Sequence, residues 1–359
     1  MSYRYKSSSR YCCSSSSSDD CYYYQKKDCC RDECPPKNCI VDDFFTVTNL
    51  VSNQTGVSSN QDLNLINPWG IIVQSNRLYV ANNGTGTITS YSLNGAPITP
   101  VITVPPAITG IGSPTGLVSN TGTNFIITSG SLSGPATLIT CTEDGTISAY
   151  NATVNATSTI VTVNRSSINA NYKGLALVAN NLYVADFRNN RIDVFDDTFS
   201  LLPGYAFVDP SMPIGFAPYN ITYVCGKLYV TYAKQDGTAT NDVSGLGNGF
   251  VSMFSTQGVF LGRFLSGGYL NSPWGIIRVR EDTYAPVCTG CGVFLISNYG
   301  DGTIGVYSER GVFIGRLRDR CDVDIIIGGL RGIIHGRQIY FSSGPNNETN
   351  GTIGSITRC

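Results

Sequence analysis

Histidine is almost missing from this chain, with one in 359 residues. A Ser-His-Asp triad could be built only around His335, and no Gly-x-Ser-x-Gly nucleophile elbow accompanies it. Zinc and iron centres that rest on several imidazoles are excluded on the same ground, so any metal would need oxygen ligands. His335 lies between Gly332 and an apolar run at Ile339, where a solvated turn without a catalytic role is expected. Charge is scarce too. Charged residues make up 14% of the chain, against roughly 25% in an average soluble domain. The formal net charge of −1 and the lack of a Lys/Arg stripe remove the electrostatic footprint of a nucleic-acid binder. Nowhere do 18 apolar residues run consecutively, so no membrane span is expected. Residues 1 to 10 lack the apolar stretch of a secretory signal.

Apolar residues with a 3.6-residue period are also lacking. In their place stand Gly, Ser, Thr, Asn and Tyr, the residues of short strands and tight turns. Residues 1 to 40 have a different character, with Ser runs, a Tyr cluster and no Leu, Ile, Val or Phe before Ile40. A segment of that composition buries too little apolar surface to offset its ordering entropy. It nevertheless holds Cys12, Cys13, Cys21, Cys29, Cys30, Cys34 and Cys39, more than half of the chain's 13 cysteines. Zinc is disfavoured there by the missing histidine and by the lack of paired Cys-x-x-Cys spacing. Disulfides are the expected use, with free thiols the alternative. Seven is an odd number, which leaves a sulfur for a bridge to another molecule. We therefore expect a low-complexity segment over residues 1–40 and a globular domain over 42–359.

From Asp42 onward the chain repeats itself. Six anchors recur about 50 residues apart: Asn67-Pro68-Trp69-Gly70, Ser113-Pro114-Thr115-Gly116, Tyr172-Lys173-Gly174-Leu175, Ala217-Pro218-Tyr219-Asn220, Ser272-Pro273-Trp274-Gly275 and Gly329-Leu330-Arg331-Gly332. A short apolar strand follows each. Second strands are typified by Leu78-Tyr79-Val80, Leu182-Tyr183-Val184 and Leu228-Tyr229-Val230, and third strands by Gly86-Thr87-Ile88, Gly145-Thr146-Ile147 and Gly302-Thr303-Ile304. This period and strand count predict an all-β, six-bladed β-propeller. No fourth run follows Gly351-Thr352-Ile353 before Cys359, while Phe44 to Val51 has no blade of its own. That N-terminal run is expected to close the ring as the outer strand of the sixth blade, covering an open edge.

The tryptophan anchors, Tyr172 to Leu177, Ala185-Asp186-Phe187, Arg191 to Phe195, Gly215 to Ile221, Lys227 to Asp236 and Gly300 to Ile304 resemble a family of uncharacterised, mainly bacterial six-bladed propellers. Its wider kin are NHL-repeat and gluconolactonase-type propellers. The resemblance implies the fold and brings no established activity. The Cys/Ser-rich segment resembles the addressing segments of giant-virus surface-fibril proteins.

Gluconolactonase-type relatives imply a divalent cation held by acidic and amide side chains in the central channel. The matching polar residues after second strands are Asn82, Asp186 and Asn298, joined by Asn83 and Asp301, and Ca2+ is the cofactor such oxygens would take. No glutamate opens the first blade, which departs from that pattern, and Asn or Asp after a strand also serves as a turn former. Trp69 and Trp274 have two readings, stacking on a sugar ring or packing between blades. Cys288 and Cys291 form an isolated Cys-x-x-Cys, read as a local disulfide or an inert pair. The spacing of Cys141, Cys225, Cys321 and Cys359 assigns no pairing, and eight Asn-x-Ser/Thr sequons in a chain rich in both residues carry no message alone. The favoured function is a non-enzymatic structural or interaction propeller on a particle or cell exterior, such as a virion surface, with protein partners or self-association through the Cys-rich arm. A metal-dependent lactonase-like hydrolase and a carbohydrate-binding propeller are the alternatives.

Overall fold

The computed structural model describes residues 44–280 and 292–359. Among them, strands form six blades. Counted from the innermost strand outward, blade 1 holds Pro68–Gln74, Arg77–Asn82, Thr87–Ser92 and Pro97–Thr103. Blade 2 holds Pro114–Ser119, Leu138–Thr142, Thr146–Tyr150 and Ile160–Asn164, with a small hairpin, Ile126–Ser129 and Leu132–Pro135, inserted after its first strand. Blade 3 has three strands, Tyr172–Val178, Asn181–Asp186 and Arg191–Phe195. Blade 4 holds Phe216–Val224, Lys227–Lys234, Gly249–Phe254 and Phe260–Ser266, and blade 5 holds Pro273–Arg280, Gly292–Asn298, Ile304–Ser308 and Phe313–Arg316. Blade 6 contributes Leu330–His335, Ile339–Ser343 and Thr352–Arg358. The architecture is the expected all-β, six-bladed propeller. No helix among the described residues is long and apolar enough to cross a membrane.

The strand Phe45–Ser52 completes blade 6. It runs antiparallel to Thr352–Arg358, from Phe45 opposite Arg358 to Ser52 opposite Thr352, and thereby closes the ring. The third-strand signature has a conformational cause: Gly86, Gly145 and Gly302 have φ of 65°, 83° and 72°, a region open to glycine at little cost. One local expectation fails. His335 is the last residue of a strand, paired with Ile339 and half-buried, and the turn starts one residue later at Gly336. Burial moves its pKa below the ordinary histidine value.

Apolar packing lies mainly between blades. Each of six clusters draws on two neighbouring blades: Ala81, Ile88 and Ile102 of blade 1 meet Leu117, Leu138 and Tyr150 of blade 2, and the pattern continues around the ring. Strands covered on both faces read as near-continuous apolar runs, which explains the Leu-Tyr-Val second strands. The closing strand enters two of these wedges. Phe45 packs between blades 5 and 6, and Val51, fully buried, packs between blades 6 and 1 beside Leu65, Ile71 and Ile353.

A ring built this way loses two interfaces if the closing strand detaches. Val51→Asp places an unpaired charge in the wedge and is expected to cost on the order of 4 kcal/mol in urea unfolding, whereas Asn49→Asp, on the exposed side of the same strand, is expected to be nearly neutral. Equal effects would mean that the strand does not hold the ring shut.

Candidate functional site

The innermost strand of every blade carries an irregularity at the same place. Regular pairing with the second strand breaks between Pro68 and Ile71, Pro114 and Leu117, Tyr172 and Gly174, Pro218 and Asn220, Pro273 and Ile276, and Leu330 and Ile333. A bulge of this kind re-aims one side chain out of the pleat. The residues at these breaks are Trp69, Thr115, Lys173, Tyr219, Trp274 and Arg331, one from each blade. All are at most 5% exposed. The position after each is glycine in five blades because the inner strands crowd together there: a Cβ on Gly174 would sit 2.0 Å from Asn220 Oδ1. Blade 4 alone has a side chain, Asn220, whose Nδ2 donates to the Trp274 carbonyl at 3.0 Å.

Five of the six residues meet across the axis. Trp69 lies edge-on to both Tyr219 and Trp274, with ring centroids 6.1 Å apart in each pair, and Phe187 packs on Tyr219. Arg331 is sandwiched between Trp69 and Tyr299, its guanidinium 3.5 Å and 3.6 Å from their ring centres. Its Nη1 donates to the Tyr219 hydroxyl at 2.7 Å, which donates in turn to Asp242 at 2.9 Å. Arg331 Nη2 pairs with Glu348, which also accepts from Tyr299 and Asn67. Lys173 pairs with Glu143, whose second oxygen accepts from Asn83 at 2.8 Å. Thr115 instead donates to the Tyr172 carbonyl of blade 3. Burial pushes the Glu143 carboxyl up, but the Lys173 ammonium and the hydrogen bonds more than offset this and hold it below its ordinary value. Trp69 Nε1, Arg331 Nε, Asp242 Oδ2 and Asn67 Oδ1 lack a protein partner.

On one side of this stopper the channel opens as an apolar cavity of about 280 Å³. Ile71, Leu117, Leu175, Ile221, Ile276 and Ile333 line it, one per blade, and Trp274 contributes to its wall. The lining contains no carboxylate, amine, imidazole or thiol. Its polar side chains are Asn220, Thr222 and Tyr223, so the volume is largely nonpolar with one phenol at its wall.

The residues singled out from sequence occupy a different layer. Asn82, Asp186 and Asn298 end the second strands of blades 1, 3 and 5, and all are buried. Asn82 Nδ2 donates to Thr87 and Thr89 of its own blade. Asp186 accepts from the Asn171 and Asn189 backbone and pairs with Arg191, while burial raises its pKa. Asn298 accepts from Asn271 N and donates to the Tyr269 carbonyl and to Thr303. Asp186 and Asn298 thus fasten a turn to the incoming loop, Asn82 ties its own hairpin with its Oδ1 buried and without a partner, and no hydrogen bond joins one of the three to another. Asp301 likewise holds Thr303 and Asn271, whereas Asn83 reaches the axial cluster through Glu143. Among the described residues no three His, Cys, Asp or Glu are grouped to hold a metal ion. Cys12, Cys13, Cys21, Cys29, Cys30, Cys34, Cys39, Cys288 and Cys291 lie outside the described residues, as does the expected boundary near residue 40.

No protein-family model matches the chain. Two proteins of Acanthamoeba polyphaga mimivirus do: Uncharacterized protein L690 is 35% identical over 323 residues, which span 87% of this chain and 85% of that protein, and Uncharacterized protein R648 is 36% identical over 86% and 79%. The chain belongs to this mimivirus protein family. A third member from the same virus, Uncharacterized protein R640, is 37% identical, and the match spans 57% of its length. Among solved structures, a streptogramin B lyase aligns with a TM-score of 0.53 at 11% identity, covering 90% of this chain and all of the lyase. A Bacteroides thetaiotaomicron protein of unknown function aligns with a TM-score of 0.57 at 12% identity, covering 87% of this chain and 76% of that one. At such identities the likeness is one of fold.

Sequence reasoning passed over Lys173 and Arg331 as chemistry, though both stand at the anchor offset held elsewhere by Trp, Thr and Tyr. Lys173→Met leaves Glu143 without its cation and is expected to cost about 2 kcal/mol at pH 7, below the usual cost of breaking a buried pair because Glu143 is 25% exposed. Adding Glu143→Gln should recover most of that loss. The carboxyl's depressed pKa stabilises the fold above its ordinary value of 4.5 and stops doing so as pH falls through the lower folded value. The stability difference between the wild type and Glu143→Gln should therefore shrink on acidification below 4.5. A difference independent of pH in denaturant unfolding would contradict the pairing.

Proposed function

We propose that this protein is a non-enzymatic interaction propeller, displayed on the exterior of a particle, with residues 1–40 as its cross-linking arm. One observation carries the reading: the axis, where a propeller would gather reactive groups from its blades, is filled by side chains whose charges are spent on one another. Lys173 answers Glu143 and Arg331 answers Glu348, while the Tyr219 hydroxyl donates to Asp242. Of the candidate cation ligands, the oxygens of Asp186 and Asn298 are committed to local turns, while Asn82 engages Thr87 and Thr89 through its Nδ2. This weighs against the lactonase-like alternative. Burial of Trp69 and Trp274 to 2% and 5% exposure removes the aromatic platform on which the sugar-binding alternative rested. Membership of a mimivirus protein family supports a setting in which assembly precedes oxidation, and seven cysteines in a segment with no core of its own suit covalent attachment.

Non-reducing electrophoresis tests the arm. Oxidised full-length protein should run as oligomers that collapse with reductant, and protein lacking residues 1–40 should run as a folded monomer in both conditions. Equal monomers without reductant would overturn the cross-linking role.

A further inference from the structure

Exposed apolar side chains recur at one end of the ring. Each of the six connections that lead into an innermost strand carries one, two to four residues before its anchor: Leu63, Ile111, Ile168, Ile214, Tyr269 and Ile326. All are at least 41% exposed, and Ile214 is fully so. Single exposed aliphatic residues are ordinary on a protein, but one per blade at a shared position makes a surface.

Hydrogen bonds put all six at the same end. An innermost strand begins opposite the end of the second strand, as in the Pro68–Asn82, Tyr172–Asp186 and Pro273–Asn298 pairs, so the turns after the second strands lie at this end too. Those turns hold the connections. Thr85 Oγ1 donates to the Asn64 carbonyl at 2.7 Å, Gln235 N to the Gly215 carbonyl at 2.8 Å and Ile327 N to the Gly302 carbonyl at 2.9 Å. Asn189 Nδ2 donates to the Ile168 carbonyl and Asn298 Nδ2 to the Tyr269 carbonyl, while a Cβ on Gly86 would come within 3.3 Å of Ile111 Cβ. Glu143 and Glu348 stand in the same set of turns, so the apolar side chains surround the polar mouth of the stopper.

We infer that this end is the docking face for a second copy of the chain, with two rings packed end to end about a two-fold axis. Size is the first argument: the six side chains expose on the order of 700 Å², close to the roughly 800 Å² that each partner gives to a stable interface. Charge is the second. Residues 104–113, 210–215 and 267–272 contain no charged side chain. Asp62 accepts from the Tyr91 hydroxyl, Arg165 pairs with Asp193, and Arg318 pairs with Asp322 and Asp324. The axial carboxylates already face Lys173 and Arg331, so an identical face can approach without setting bare like charges against one another. Symmetry is the third, because a two-fold axis in the plane of the face returns a ring of six onto itself and lets each apolar side chain meet another across the interface. The pair needs no disulfide and does not rest on the proposed function. Reduced protein should form it, and the detergent of electrophoresis separates it.

Sedimentation equilibrium of the full-length chain in excess reductant at micromolar concentration tests the pair. The wild type is expected at the mass of two chains. The variant carrying Ile111→Asp and Ile214→Asp, which removes no buried side chain, is expected at the mass of one, its dissociation constant raised at least about tenfold. A control carrying Val259→Asp and Val312→Asp, exposed residues in turns between third and fourth strands at the other end, should stay paired. Amide exchange of the wild type reads the face without a substitution: protection of residues 104–113 and 210–215 should rise from dilute to concentrated protein. A wild type with the mass of one chain throughout, a ring variant that stays paired, or a control that separates as readily would each overturn the inference. So would protection of those segments at every dilution in a single chain, which would mean that another part of the same chain covers the face.

Discussion

Two cations buried at the centre of a ring of strands must be neutralised, and this requirement organises the axis. Lys173 and Arg331 enter from blades 3 and 6, and each has lost nearly all contact with water. An unpaired charge there would cost several kcal/mol. Glu143 reaches in from the loop after the second strand of blade 2, and Glu348 from the loop before the last strand of blade 6, so each ion pair is also a tether between segments. Arg331, stacked between Trp69 and Tyr299 and bonded to Tyr219, ties blades 1, 4, 5 and 6 to one point. The bulges of the inner strands and the glycines after them are what bring these side chains together.

This arrangement separates two uses of a propeller axis. A reactive site keeps donors and acceptors pointed at empty space for a substrate. Here Lys173 and Arg331 face Glu143 and Glu348, and the free volume lies on the other side, where isoleucine and leucine make up most of the wall beside Asn220, Thr222, Tyr223 and Trp274. The few polar atoms left over, such as Trp69 Nε1 and Asp242 Oδ2, are scattered through the stopper. At 11% identity the resemblance to a streptogramin B lyase concerns the scaffold.

Much of the scaffold was legible in the sequence because the blades repeat their local solutions. The Gly-Thr-Ile turns mark positive φ, the Leu-Tyr-Val runs mark strands covered on both faces, and the orphan run from Phe44 marks the closing strand. The boundary at His335 was misplaced by one residue because the ladder with Ile339 extends the strand into what reads as turn sequence. The axial site was harder to see. Asn82, Asp186 and Asn298 stood out as polar residues after strands, yet that position is where a turn must be fastened. Glu143 and Glu348 lie in loops, where an acidic residue reads as solvated, and only the ring geometry brings them onto Lys173 and Arg331. The shared offset of Lys173, Arg331 and the two tryptophans within the anchors was the available signal.

Crystals grown in millimolar CaCl2 and examined by anomalous scattering test the closed axis most directly. The account predicts Glu143 on Lys173, Glu348 on Arg331 and no ordered cation among Asn82, Asp186 and Asn298. A calcium ion coordinated by these side chains, or one that draws Glu143 or Glu348 away from its cation, would contradict it.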